Sequence, residues 1–216
     1  MKERVGQVFS IANDNAPVAG CTVSKEIHGG SNSITYYSMD ADTDISAEIY
    51  PYHKFLIVNG GTIIVYTTMW ERKLLAGDFI VTPTDTPVGI KTDSFAVFTE
   101  ITIQKNDTMN RAIKAGEVFN LASLLPYQEG KIINMDVVSN SKMKFVVMSF
   151  DKGTGLSEHA APGEALVSAL DGEAVICYEG SEHNIKAGEQ FHFAKGGRHS
   201  VKAINKFKMA LLLTLE

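Results

Sequence analysis

Gly188-Glu-Gln-Phe-His-Phe-Ala-Lys-Gly-Gly-Arg-His199 is the stretch from which the fold is read. A glycine opens it, an aromatic-rich run follows, Gly196-Gly197 makes a turn, and a histidine stands just past the turn. The run is too short and too aromatic for a helix, so it reads as a strand entering a tight turn. A fainter copy lies in the first half, where Ala76-Gly77-Asp78 matches Ala187-Gly188-Glu189.

Working outward, the copy becomes an internal repeat. Gly6-Gln-Val-Phe-Ser-Ile-Ala12 matches Gly116-Glu-Val-Phe-Asn-Leu-Ala122, and Ile34 to Asp40 matches Phe145 to Asp151. Pro51 falls on Pro162, Gly61 on Gly172 and Phe95 on Phe207, at a spacing that drifts by one residue at a time. That drift is what loop insertions produce. The 216 residues therefore read as two copies of one domain, residues 1–108 and 109–216, with the seam near Asn106 to Ile113.

Each copy opens on a segment that suits either a strand or a helical turn, Val8 to Ala12 or Val118 to Leu125. Alternating runs follow at Gly20 to Ile27 and Lys131 to Val138. Hairpin turns are predicted at Asn59-Gly-Gly61 and Asp171-Gly172, because these residues accept positive φ cheaply. Return strands are expected at Thr62 to Thr68 and Glu173 to Tyr178, and final strands at Phe95 to Ile103 and Phe207 to Leu215. No long helical stripe appears. Short strands between glycine-rich turns predict an antiparallel sandwich or barrel.

Composition excludes more than it assigns. The formal charge is −5 and no basic cluster stands out, which argues against nucleic acid or an anionic membrane as partner. No apolar run approaches roughly eighteen residues, and Met1-Lys2-Glu3-Arg4 leads into no signal-like core, so a cytoplasmic location is expected. Cys21 and Cys177 fit neither a disulfide framework nor a zinc spacing and are expected to be buried and free. There is no nucleophile elbow and no phosphate loop, and no pair of carboxylates sits at clear positions.

Gly188-x5-Ala194-x-Gly196-x2-His199 resembles the second signature of the cupin family, with alanine where that signature has proline. Glu158 to Gly172 resembles the first. The whole chain is then similar to a two-domain cupin, a bicupin. The resemblance implies an all-β fold of two tandem double-stranded β-helix barrels, jelly rolls each open at one end over a cavity. It also implies a candidate metal site in the second copy at His159, Glu164 and His199, suited to a divalent iron, manganese, nickel or zinc ion.

The departures from the family pattern matter as much. Metal-binding cupins carry two histidines one residue apart and then a carboxylate. Here Ala161 follows His159 at that spacing, and either Glu164 or Ala165 occupies the acidic place. His159 reads as a ligand, a cavity hydrogen-bonding residue or a rim residue. His192, between Phe191 and Phe193, faces either the lumen or solvent. The first copy has Glu48, His53 and Val88 where the second has His159, Glu164 and His199, and is expected to hold no metal. Tyr36, Tyr37, Tyr50, Tyr52 and Tyr66 either line a pocket there or fill the barrel, and Trp70 is placed to contact the other copy or a second subunit.

Two functions remain open. One is a small-molecule-binding protein with a degenerate or weak metal site in the second barrel. The other is a metal-dependent enzyme of isomerase or dioxygenase type acting on a small sugar or organic acid, with His199 and His159 as its catalytic groups. A homodimer built sheet to sheet is expected with either.

Overall fold

The structure is a computed structural model and describes residues 1–215. In the first half the strands are β1 (Val8–Phe9), β2 (Thr22–His28), β3 (Ile34–Met39), β4 (Thr43–Glu48), β5 (His53–Tyr66), β6 (Glu71–Leu75), β7 (Asp78–Val81), β8 (Val88–Thr92) and β9 (Ala96–Ile103). The second half continues with β10 (Thr108–Met109), β11 (Val118–Asn120), β12 (Ile132–Ser139), β13 (Met143–Phe150), β14 (Gly155–Ala160), β15 (Glu164–Tyr178), β16 (Ser181–Lys186), β17 (Gln190–Phe193) and β18 (Arg198–Thr214). A one-turn helix α1 (Ile11–Asp14) follows β1, and a 3₁₀ turn (Leu121–Ser123) follows β11. The segments Val8 to Ala12 and Val118 to Leu125 thus each open as a short strand and then a helical turn. In α1 the Ser10 hydroxyl accepts from the Asn13 amide and starts the turn. No helix among the described residues is long and apolar enough to cross a membrane.

Among the described residues the strands form two nine-stranded antiparallel sheets, nearly one per half. The exceptions are exchanged strands. β1 joins the second sheet through Val8–Phe191 pairing, and β11 joins the first through Val118–Ile80. Each sheet wraps an apolar cluster of its own, one around Leu56, Ile63 and Phe98, the other around Ile176, Phe191 and Phe207. A third cluster lies between the sheets, with Phe55, Phe79 and Ile101 from one side meeting Phe145, Leu166 and Leu212 from the other. This layering explains why β9 is buried at every position: one face looks into the cluster its own sheet wraps and the other at the opposite sheet.

The hairpins expected at Asn59–Gly61 and Asp171–Gly172 are not formed. Both places lie inside the long strands β5 and β15, which run straight through them with shifts of register. β5 pairs with β7 and β9 before Gly61 and with β6 and β8 after it, so the glycine turns the strand from one layer to the other. Positive φ serves a bulge here rather than a turn. A tight hairpin does occur at Glu179-Gly180, where both residues have positive φ. The cysteines also differ from expectation: both are free, but Cys21 is exposed, in the turn before β2, and Cys177 is half-buried. Trp70 lies against Gly116 of the second half, beside an Arg72 Nε bond to the Gly116 carbonyl.

Candidate functional site

In the second half, β14 pairs with β18 so that His159 stands directly opposite His199. Their ring centroids are 4.3 Å apart. His199 is 7% exposed and stacks at 4.0 Å on Phe193, while His159 stays exposed at the rim. Each ring is held the same way. Nδ1 of His159 lies 2.8 Å from the Ser157 carbonyl, and Nδ1 of His199 lies 3.1 Å from that of Gly197. A carbonyl only accepts, so Nδ1 carries the proton and Nε2 is left with its lone pair. Burial pushes the His199 pKa down, the Gly197 bond opposes it, and His159 pushes the same way as burial. Burial thus favours the neutral form of His199, and the two Nε2 atoms stand side by side.

Below them the lumen is aromatic. Tyr178, Phe191 and Phe193 stand 5.0 to 5.7 Å apart by centroid. The Tyr178 ring covers Gly197 so closely that a Cβ there would lie 2.7 Å from its hydroxyl.

Glu164 is elsewhere. On β15, Ala165, Val167 and Ala169 face the lumen, so Glu164 and Leu166 point the other way, toward the opposite sheet. Its carboxylate pairs with the Met1 amine and lies 3.7 Å from His192 Nε2. The lumen-facing place belongs to Ala165, one residue out of phase, which is enough to reverse a side chain in a strand. Ala161 is also buried among the lumen residues. His192 lies on the face opposite Phe191 and Phe193, 0% exposed, with Nδ1 3.1 Å from the Glu3 carbonyl and its charged form disfavoured chiefly by burial. Among the described residues no group of three or more His, Cys, Asp or Glu is placed to hold a metal ion. Two imidazoles beside two alanines do not fit the ligand set that a divalent ion in this fold requires.

The first half has a polar lumen that sequence reading passed over. Lys54 Nζ lies 3.2 Å from Glu100 Oε2 and 4.0 Å from the centre of the Tyr50 ring. Tyr50 in turn bonds Glu48 and packs on Tyr52. Tyr37 stacks on Phe98, and burial with the nearby carboxylates pushes its pKa up to about 12. Burial raises the Glu100 pKa against the pull of Lys54. The available signal was a carboxylate inside Val97-Phe98-Thr99-Glu100-Ile101, whose counterpart in the other copy is Leu211. His53 lies with Nδ1 2.6 Å from the Thr82 carbonyl, and Glu48 pairs with Val88 as His159 does with His199.

Lys54→Met is expected to destabilise the protein by about 3–5 kcal/mol at pH 8, because it strands a buried carboxylate. Unfolded Glu100 ionises near 4.5, and in the variant the folded pKa rises further. The folded state then binds the extra proton, so stability should fall as pH rises from that value. Urea midpoints for the variant that do not change between roughly pH 5 and pH 8 would contradict this.

Comparison with known proteins agrees with this architecture. Residues 146–215 match a family model described as cupin domain. No curated protein matches the chain. Among solved structures, a cupin 2 conserved barrel domain protein from Leptotrichia buccalis is 26% identical, with a TM-score of 0.87, covering 99% of this chain and 98% of its own. Protein YlbA from E. coli, 11% identical, aligns over 96% of this chain and 89% of its own with a TM-score of 0.62. A mutant of salicylate 1,2-dioxygenase from Pseudoaminobacter salicylatoxidans is 10% identical over 85% of this chain and 70% of its own, also with a TM-score of 0.62. The last two speak to fold alone. The family match over residues 146–215 and the Leptotrichia buccalis structure support the cupin superfamily.

Proposed function

We propose that the chain is a tandem cupin, with copies at residues 1–108 and 109–216 that exchange their first strands, and that it binds a small hydroxylated molecule at the mouth of the second barrel. The observation that carries the binding reading is the paired Nε2 acceptors of His159 and His199 over an aromatic floor. With Nδ1 on a backbone carbonyl in each ring, the two Nε2 atoms accept from ligand hydroxyls, the Tyr178, Phe191 and Phe193 rings supply an apolar base, and the site fixes orientation with few polar groups. The metal-dependent reading is weaker, because the carboxylate that should complete the set faces away.

His199→Ala tests both. Calorimetric titration with a panel of monosaccharides should find a ligand whose affinity falls at least tenfold in the variant, a loss of about 1.4 kcal/mol. Elemental mass spectrometry of the untagged protein should find transition metal well below one ion per chain. Stoichiometric iron, manganese, nickel or zinc that disappears in His199→Ala would replace the binding reading with the enzymatic one. Unchanged sugar affinity would remove the site from consideration.

A further inference from the structure

One mainly apolar cavity is not inside either barrel. A cavity of about 390 Å³ lies between the two sheets, under α1 and the 3₁₀ turn. It falls within the usual range for ligand pockets, and protein interiors rarely leave voids larger than a water molecule. Its lining comes from repeat-related pairs: Gly77 with Gly188, Ile11 with Leu121, Ile101 with Leu212. The cavity therefore lies where the two copies face each other.

The polarity of that lining is not symmetric. Thr99 stands where the other copy has Ala210, Ser168 where it has Ile57, and Asn59 where it has Leu170. Gln190 answers to Phe79. At each place the sister copy demonstrates that an apolar residue suits the fold, so packing alone does not call for these polar groups. Buried polar atoms are costly unless bonded, which makes their partners informative. Thr99 donates to Asn59 Oδ1 at 2.7 Å, and the Ile11 amide donates to Gln190 Oε1 at 2.7 Å. Both amide oxygens are thus engaged. What remains is Asn59 Nδ2, the Ser168 hydroxyl, and Gln190 Nε2 with a long 3.4 Å contact to the Gly188 carbonyl. These are donors, and they suit a ligand acceptor. No lining side chain is ionisable.

We infer that the cavity between the sheets is a second binding site, for an uncharged molecule with an apolar body and a carbonyl that accepts from Asn59 and Gln190. A surface groove lined by Ser10, Asn13, Lys186 and Glu189 shares Asn59, Ala187 and Gly188 with the cavity and provides the way in. This site is independent of the histidine pair.

The test uses the full chain and three probes: benzamide, its charged isostere benzoate, and toluene, which lacks the carbonyl. Saturation-transfer NMR and titration should show benzamide binding at least tenfold more tightly than benzoate or toluene. Ala210→Leu, which fills the cavity, and Asn59→Leu, which removes a donor, should each weaken benzamide at least tenfold, while His199→Ala leaves it unchanged. Using two variants guards against one that disturbs the sheet interface. No benzamide binding, equal binding of benzoate, or full affinity in both cavity variants would overturn the inference. Loss of benzamide in His199→Ala would also overturn it and would assign the binding to the barrel mouth.

Discussion

Phe55→Ala is expected to lower the unfolding free energy by about 3–5 kcal/mol. Phe55 is 1% exposed in the layer between the two sheets. Its ring lies 4.7 Å from Phe79 in its own half and 5.1 Å from Phe145 in the other. Truncation removes the shared centre of those contacts and leaves a void that rigid sheets on both sides cannot close. The damage should not stay in the first half. β1 is hydrogen-bonded into the second sheet and β11 into the first, so neither half can unfold without stripping a strand from the other. Urea denaturation followed by Trp70 fluorescence and by far-ultraviolet circular dichroism should give one coincident transition, shifted in the variant. A loss below about 1 kcal/mol would show that the layer tolerates collapse at this site. Two separated transitions would show that strand exchange does not couple the halves.

Gly172→Ala should be nearly as severe, and for a different reason. Gly172 has φ +71°, and a Cβ there would lie 1.8 Å from the Lys206 carbonyl oxygen. Left-handed strain and overpacking against backbone together cost roughly 2–6 kcal/mol. Gly188 is the control. Its φ is +88°, but a Cβ would meet nothing within 4 Å, so Gly188→Ala carries strain alone, about 1–2 kcal/mol. In thermal melts Gly172→Ala should fall at least about 4 °C further than Gly188→Ala. Equal losses would mean that the strand bend relaxes around the new methyl.

The contrast between these glycines marks what sequence could and could not decide. Gly61 and Gly172 were legible as positions of positive φ, because glycine takes that conformation with no steric cost. Whether the chain then turns back or bends and continues depends on where the partner strand lies. β18 pairs with β15 on both sides of its bend, and along β5 the pairing passes from β9 to β8, so each strand continues. The same limit applied to the site. Motif spacing brought out His159 and His199, and pairing across β14 and β18 places them together. Glu164 against Ala165 was a choice of strand phase, which the flanking Pro162-Gly163 left open and only the alternation along β15 resolves.

Composition, glycine spacing and the internal repeat determined an all-β chain, since those features act locally along the strand. Tertiary structure alone decided the rest: the exchange of β1 and β11, the polar lumen around Glu100, and the cavity between the sheets. Each depends on which face of one strand meets a face far away in sequence, and in this protein β9, β13 and β17 are buried on both faces along nearly their whole length.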